Sequence, residues 1–505
     1  MRFPVCLVVA FWIVSGVCPG QSNLPNIVII LADDLGYGDP GCYNDQSLIP
    51  TPNMDQLANQ GMKFSDAHSP SSVCTPTRYG LLTGRYCWRT KLKRMVLWPW
   101  DPPLLESERL TLPEMLQQKG YSTACIGKWH LGWDWPLENG KYLSDEFSGV
   151  TLPAKKREAW GQQIDFSRPT RGGPTDHGFQ SYFGDDVPNF PPYAFIKNRK
   201  TIGIPSISKP ADMFGNPGPA LPAWDLSTVM PSITQEAVQF IEAQQPDDPP
   251  FFLFMPLTAP HTPIAPSPHF IGKSKAGWYG DYVHQVDWTV GQIQTALRRN
   301  DLTNDTLLIF TSDNGSPQRN GENMNGPTGS VKKLGHDPSR PWRGMKSDAW
   351  EGGHRIPFIA VWPGHIPADR TSQEPIILTD LMRTLASLVD FELDEQTAED
   401  SFDIGAALFD KESASTASPI RDHLIHHSGN GLFAIREGPW KLILGKNSGG
   451  FTQYRPPADA PAGQLYNLQS DPAESTNLYE QQPDVVQRLT RRLNQLKEAG
   501  RSFNE

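Results

Sequence analysis

Residues 26–38 read Asn-Ile-Val-Ile-Ile-Leu-Ala-Asp-Asp-Leu-Gly-Tyr-Gly. The stretch 26–31 is almost continuously apolar and rich in β-branched residues, the pattern of a strand buried on both faces and therefore of a parallel sheet. It runs straight into Asp33 and Asp34. Two adjacent carboxylates at the end of a buried strand repel each other and are costly to leave unpaired. The same four residues Asp-Asp-Leu-Gly also suit a solvated turn, so the pair gains meaning only from what else reaches it.

Outward from this stretch the layout repeats. Residues 121–126 form a second apolar run, followed by Gly127-Lys128-Trp129-His130-Leu131-Gly132. Residues 251–255 form a third, followed by Ala259-Pro260-His261, and residues 306–310 a fourth, followed by Ser312-Asp313-Asn314. A fifth strand is predicted over 358–362, behind Arg343-Gly344-Met345-Lys346 and Glu351-Gly352-Gly353. Helical patterns lie between them at 51–64, 111–119, 232–243 and 283–299, and another follows at 378–389; Thr111, Pro113 and Glu114 make a helix start of the second. Alternating strands and helices with right-handed crossovers predict an α/β fold, a large mostly parallel sheet sandwiched by helices. Ligands of such sheets bind beyond the carboxyl ends of the strands, so Asp33/Asp34, Lys128/His130, His261 and Asp313/Asn314 are expected at one edge.

The 505 residues exceed what one core usually serves. An acidic and then Ser-rich stretch over 391–416 marks a boundary, with short antiparallel strands at 434–436, 440–444 and 465–468 and a closing amphipathic helix at 483–499. The expectation is a main domain over 24–400 and a smaller C-terminal α+β subdomain over 417–505. The segment 133–226 reads as loop-rich. Residues 1–20 begin Met1-Arg2, continue apolar over 3–14 and end in small and polar residues, the layout of a secretory signal peptide. That predicts a secreted, periplasmic or lysosomal protein with no stable membrane span. A net charge of −10 argues against nucleic acid or acidic membranes as partners, and requires a local positive pocket for any anionic substrate.

Asp33, Asp34, Asp313 and Asn314 are an all-oxygen set carrying three formal negative charges. Gathered at one edge they need a cation, and oxygen ligands favour Ca²⁺ or Mg²⁺ over Zn²⁺. Residues 71–85, Ser-Ser-Val-Cys-Thr-Pro-Thr-Arg-Tyr-Gly-Leu-Leu-Thr-Gly-Arg, read as a loop entering a helix. Pro76 suits the first turn. Arg78, four residues after Cys74, projects from the same side. A group on Cys74 would sit at the positive helix end beside a guanidinium, a place to hold an anion. The basic run 85–94 that follows is either a solvated face or a substrate contact.

Cys-Thr-Pro-Thr-Arg followed by Leu-Leu-Thr-Gly-Arg resembles the signature of the type I sulfatases, of the alkaline phosphatase superfamily. Gly-Lys-Trp-His-Leu-Gly, Ala-Pro-His, Arg-Gly-x-Lys before Glu-Gly-Gly, and the C-terminal Leu-Tyr-Asn-Leu with Asp-Pro-x-Glu are similar to further motifs of that family, in family order. The resemblance implies a sulfuric ester hydrolase of arylsulfatase or carbohydrate sulfatase type. It implies one Ca²⁺ per chain held by Asp33, Asp34, Cys74, Asp313 and Asn314, and conversion of Cys74 to formylglycine by a formylglycine-generating enzyme. The hydrated aldehyde would be the nucleophile, with Arg78 and Lys128 stabilising its charge and Asp313 acting as base. Lys346 and His261 would clamp the sulfate, His261 would be the acid, and His130 would take the proton that releases sulfate. The substrate would be a sulfated small molecule or glycan. With Cys74 converted and the signal removed, Cys42, Cys87 and Cys125 leave at most one disulfide, of open assignment. Two alternatives stand beside this reading: a phosphate or phosphonate ester hydrolase on the same fold, and a non-catalytic binder of sulfated glycans.

Overall fold

The computed structural model describes residues 24–246, 248–321, 324, 330–410 and 419–503. The predicted signal segment 1–20 lies outside the described residues, as do residues 411–416 of the predicted boundary. A ten-stranded sheet runs in the order Arg370–Ser372, Met62–Phe64, Phe358–Val361, Thr306–Ser312, Asn26–Asp33, Phe251–Pro260, Ser122–Ile126, Ser181–Gly184, Ile196–Lys197, Lys200–Thr201. Its five central and adjoining strands, Thr306–Ser312 through Ser181–Gly184, are mutually parallel.

Asn26–Asp33 is buried along all eight residues. Strand side chains alternate between faces. Ile27, Ile29 and Leu31 join one apolar core, which also holds Leu81 and Leu82 of the helix Cys74–Thr83, Met115 of Leu112–Gln118 and Leu385 of Asp380–Leu388. Val28, Ile30 and Ala32 join the other, packed by Leu57 of Pro52–Gln60, Ile233 of Val229–Glu242 and Val286 of Gly277–Arg299. The strand is apolar from Ile27 to Ala32 because both its faces are covered. Leu112–Gln118 begins with the expected cap, Thr111 and Glu114 bonding each other's backbone in a capping box.

Register brings the polar ends together. Ala32 lies opposite Ser312, and Asp33 opposite Pro260, so Asp33/Asp34, His261 and Asp313/Asn314 emerge side by side. Lys128 joins them through its N–H to the Pro256 carbonyl at 2.7 Å. Gly127 permits that approach: it has φ +138°, and a Cβ there would stand 1.8 Å from the Pro256 oxygen.

A second sheet, Leu424–His427, Phe433–Glu437, Trp440–Ile443 and Gln464–Asn467, is antiparallel throughout. The helix Pro483–Glu498 closes it with Leu489, Leu493 and Leu496. Three elements differ from expectation. The helix predicted over 51–64 stops at Gln60, and Met62–Phe64 is a strand paired with Phe358–Val361. Gly61 makes the break, its Cα lying so near the sheet that a Cβ would stand 2.2 Å from the Ala360 oxygen. The loop-rich segment 133–226 supplies the last three strands at one sheet edge and the helix Ala154–Gly161. Leu424–His427, a Leu-Ile-His-His strand, carries no period-2 signal at all. Among the described residues no helix is long and apolar enough to cross a membrane, and Cys42, Cys74, Cys87 and Cys125 are all unbridged.

Candidate active site

Cys74 opens the helix Cys74–Thr83, every residue of which is buried. Lys346 Nζ donates to Cys74 Sγ at 3.3 Å and reaches Asp34 Oδ1 and Oδ2 at 2.7 and 2.9 Å. Lys128 Nζ bonds Asp33 Oδ2 at 2.7 Å. Arg78 grips Asp313 Oδ2 with Nε at 3.1 Å and Nη2 at 2.8 Å, while its Nη1 donates to the Lys128 carbonyl at 2.8 Å. Asn314 Nδ2 donates to Asp34 Oδ1 at 2.7 Å. His261 Nε2 stands 3.8 Å from Asp34 Oδ2, too far for a hydrogen bond. Asp34 turns the chain at the strand end with φ +68°, a conformation open to aspartate at modest cost.

Every residue predicted for the site except His130 is thus in direct contact with another of the group, and His130 meets the same group through the fields of Lys128, Arg78 and Asp33. Its ring is held from outside: Nε2 bonds the Leu97 carbonyl at 3.0 Å and its backbone N–H bonds Asp186 Oδ1 at 3.0 Å. Sequence reading missed Asp186. It follows the strand Ser181–Gly184, so it too sits past the carboxyl end of a parallel strand, in the segment where no strand was legible. In the basic run after the Cys74 helix, Arg85 and Arg89 are spent on Glu399 and Asp400.

Three carboxylates and three cations, Lys128, Lys346 and Arg78, cancel in formal charge. Burial alone would raise Asp33, but the neighbouring cations, Lys128 first and then Arg78 and Lys346, outweigh it and hold Asp33 well below the usual carboxylate range. Asp313 goes the other way: burial and the neighbouring Asp33 charge push it up to about 7. Burial pushes the Cys74 thiol up to about 12, so at neutral pH it is a thiol and a poor nucleophile. Burial, then Lys346, lowers His261 to about 4, and burial with Lys128 and Arg78 depresses His130 well below 6.5. Both histidines are therefore neutral in the resting site.

The donor set suits a hard cation. Asp33 Oδ1 and Asn314 Oδ1 are buried oxygens that accept no hydrogen bond, Arg78 standing 3.5 Å from the former. A buried acceptor left without a donor costs about 1–3 kcal/mol, and a divalent ion against these oxygens removes the cost. It would also give the neutral cluster a net charge of +2, the local positive field that an anionic substrate needs in a chain of net charge −10. Asp33, Asp34, Cys74 and His261 present ligand atoms all within 4.8 Å of one another. His261 thus arrives beside the acidic group from another strand, although no histidine adjoins Asp33 or Asp313 in sequence.

The Sulfatase family profile matches residues 25–391. The chain belongs to the sulfatase family. It is 32% identical to an N-acetylgalactosamine-6-O-sulfatase of Bacteroides thetaiotaomicron, with 94% of each chain covered. It is 32% identical to human arylsulfatase A over 90% of this chain and 83% of that one. Among solved structures, a Bacteroides thetaiotaomicron protein described under the metabolism of multiple glycosaminoglycans superposes with a TM-score of 0.76 at 30% identity, covering 94% of this chain and all of that one. A sulfatase from Pseudoalteromonas superposes with a TM-score of 0.70 at 25% identity, over 96% and 92%. This sulfatase is accordingly a sulfuric ester hydrolase, and the acidic and basic groups above lie within the matched region.

Proposed function

We propose that this sulfatase hydrolyses sulfate esters on a glycan or aryl group, using Cys74 in its formylglycine form and one calcium ion held by Asp33, Asp34, Asp313, Asn314 and residue 74. The observation that carries the reading is the convergence of Cys74, Lys346 and Asp34 within hydrogen-bond distance, beside orphaned oxygens on Asp33 and Asn314. A thiol held near 12 has no nucleophilic role of its own, which supports its replacement by a different functional group.

When bound, calcium supplies charge to polarise the sulfate and orient the nucleophile. Formylglycine supplies a hydrated aldehyde, with one hydroxyl to attack sulfur and a second through which sulfate is expelled. The chain's own residues do the rest. Lys346 and His261 face the anion from one side, Lys128 and Arg78 hold negative charge at residue 74, and Asp313, raised toward 7, accepts a proton from it. A sulfate oxyanion beside His261 raises the affinity of that ring for a proton, which it then delivers to the leaving oxygen. His130 Nδ1, buried and without a partner, is the base that takes the proton on sulfate release. Each such acid or base is worth roughly 10²–10⁴ in rate.

The relatives named as N-acetylgalactosamine-6-sulfatases favour a carbohydrate sulfate as substrate. The reading includes export through residues 1–20 to a secreted, periplasmic or lysosomal site, maturation by a formylglycine-generating enzyme, and division of the chain into a catalytic domain over 24–400 and a subdomain over 417–505. The test is paired turnover of 4-nitrophenyl sulfate and 4-nitrophenyl phosphate by calcium-loaded protein whose position 74 has been checked by peptide mass spectrometry. Faster sulfate turnover is expected. Faster phosphate turnover would install the phosphate ester hydrolase instead, and glycan binding with no turnover by fully converted protein would install the binder.

A further inference from the structure

We infer that Thr75, the residue after Cys74, is a positioning residue for His130: its hydroxyl closes a three-residue hydrogen-bond ring with His130 and Leu97 that fixes the imidazole as the Nε2–H tautomer and leaves Nδ1 as the free base. The inference rests on the role proposed for His130 and adds the device that sets it.

The ring is closed at every link. Thr75 Oγ1 donates to the His130 carbonyl at 3.0 Å. The Leu97 N–H donates to Thr75 Oγ1 at 3.2 Å. His130 Nε2 meets the Leu97 carbonyl at 3.0 Å. A carbonyl only accepts, so Nε2 carries the hydrogen and the lone pair of the neutral ring is on Nδ1. That nitrogen is buried without a partner. Position 75 must donate and accept at once, which a hydroxyl does and an alkyl group does not. Thr75, Leu97 and His130 are 0%, 1% and 3% exposed, so water does not substitute freely for any link.

The geometry is also one that needs holding. His130 has φ +56°, uncommon for a residue with a Cβ. Its N–H is fastened to Asp186 and its carbonyl to Thr75, so the strained residue is pinned on both sides. Thr75 lies on the first turn of the Cys74 helix. Thr75 therefore links the backbone of His130 directly to the helix end that carries Cys74, while Asp186 and Leu97 hold His130 from the other side. Loose positioning of a catalytic group by an ångström is enough to lose about 10²-fold in rate.

The experiment compares Thr75→Val, which keeps the shape and removes the hydroxyl, with Thr75→Ser and with His130→Ala. All rates are normalised to the formylglycine content of position 74, measured by peptide mass spectrometry. Thr75→Val is expected to lower kcat by about 10- to 100-fold with little rise in KM. The aryl alcohol should then appear in one burst equal to the enzyme, ahead of slow steady-state release of sulfate. Thr75→Ser should restore kcat to within a few-fold. Imidazole ¹⁵N spectra, with His130 assigned by its loss in His130→Ala, should show the Nε2–H tautomer in wild type and Thr75→Ser, and a mixture in Thr75→Val. Wild-type kcat and a single tautomer in Thr75→Val would overturn the inference, as would an Nδ1–H tautomer in the wild type, which needs no variant to fold. Full activity in His130→Ala would instead sink the role proposed for His130, and the inference with it. Loss in His130→Ala without loss in Thr75→Val would sink the ring alone.

Discussion

Two buried charge clusters in this sulfatase share an inventory and differ in how it is closed. The active-site cluster holds Asp33, Asp34 and Asp313 against Lys128, Lys346 and Arg78. The second, where the large sheet meets the C-terminal one, holds Asp66, Glu351 and Glu474 against Arg355, Arg436 and Lys441. In the second, one chain of polar atoms answers in sequence from Lys441 to Asp66. Lys441 Nζ donates to His354 Nε2 at 3.1 Å, His354 Nδ1 faces His68 Nδ1 at 3.1 Å, and His68 Nε2 bonds Asp66 at 2.7 Å. Lysine only donates and the carboxylate only accepts, so the protons run one way along the chain. His68, His354 and His426 bring ligand nitrogens within 4.8 Å, as a metal site would. Lys441 nevertheless occupies the His354 lone pair, and the His354 and His426 rings stack at 3.7 Å and 11°, so a metal in the plane of one ring lies off the plane of the other. The active-site cluster instead leaves Asp33 Oδ1, Asn314 Oδ1, His130 Nδ1 and His261 Nδ1 buried and unanswered. The second cluster, a joint between the sheets, has open atoms too, both His426 nitrogens and Glu474 Oε1, but Glu474 Oε1 still meets Lys441 at 2.9 Å and the His426 ring is stacked on His354. The difference lies in kind: the active-site cluster leaves carboxylate and amide oxygens open, the atoms a hard cation takes, and the joint leaves histidine nitrogens.

Four substitutions or treatments probe that contrast. Cys74→Ala should remove activity on the order of 10⁴-fold or more while unfolding within roughly 1 kcal/mol of wild type, since the site contributes function and little packing. Steady-state assay and urea unfolding measure the two sides, and substantial residual hydrolysis would end the nucleophile assignment. Exhaustive chelation should cost roughly 10³-fold in kcat, reversed by added Ca²⁺, and should lower the melting temperature in the same step because the ion binds only the folded cluster. Full activity in metal-free protein would show that the orphaned oxygens serve something else.

Lys441→Met belongs to the joint. It leaves Glu351 and Glu474 facing each other without their shared cation, each having met Lys441 at 2.9 Å. Stability should fall by about 3–5 kcal/mol, with kcat per folded molecule unchanged; a loss of kcat at full stability would erase the distinction between the clusters. The smallest effect is in pH. His426 is depressed well below 6.5 by burial first and then by His68 and Lys441. A depressed histidine contributes stability above its unfolded value and loses it as pH falls from there toward the folded value. Relative to His426→Phe, wild type should therefore lose about 1.4 kcal/mol per pH unit below about 6.5. A difference between the two proteins that is flat from pH 7.5 to 5.5 would mean that His426 does not titrate in unfolding.

Legibility in the sequence followed length and context. The strands Asn26–Asp33, Phe251–Pro260 and Thr306–Ser312 were readable because both faces are covered and each carries an unbroken apolar run of four or more residues. The Thr111 cap was readable because its chemistry is local. Met62–Phe64 and Ser181–Gly184 are three and four residues long and owe their conformation to neighbours far away in the chain. Asp186 and Leu97 were invisible as site residues for the same reason, their partner being His130. The motif Asp471 to Glu474 was legible as family resemblance, and its place is the joint: Glu474 holds Lys441 and the Glu351 N–H.

By itself the sequence determined where buried strands end, because apolar runs must be covered on both sides, and which polar residues follow them. It thereby determined the chemical inventory at one sheet edge. Tertiary structure alone decided which atoms of that inventory are spent on one another and which stay free. Whether Asp33 Oδ1 or His130 Nδ1 has a partner depends on register and on groups as remote as Thr75 and Leu97, and hydrogen bonding at 3 Å carries no trace in local residue pattern.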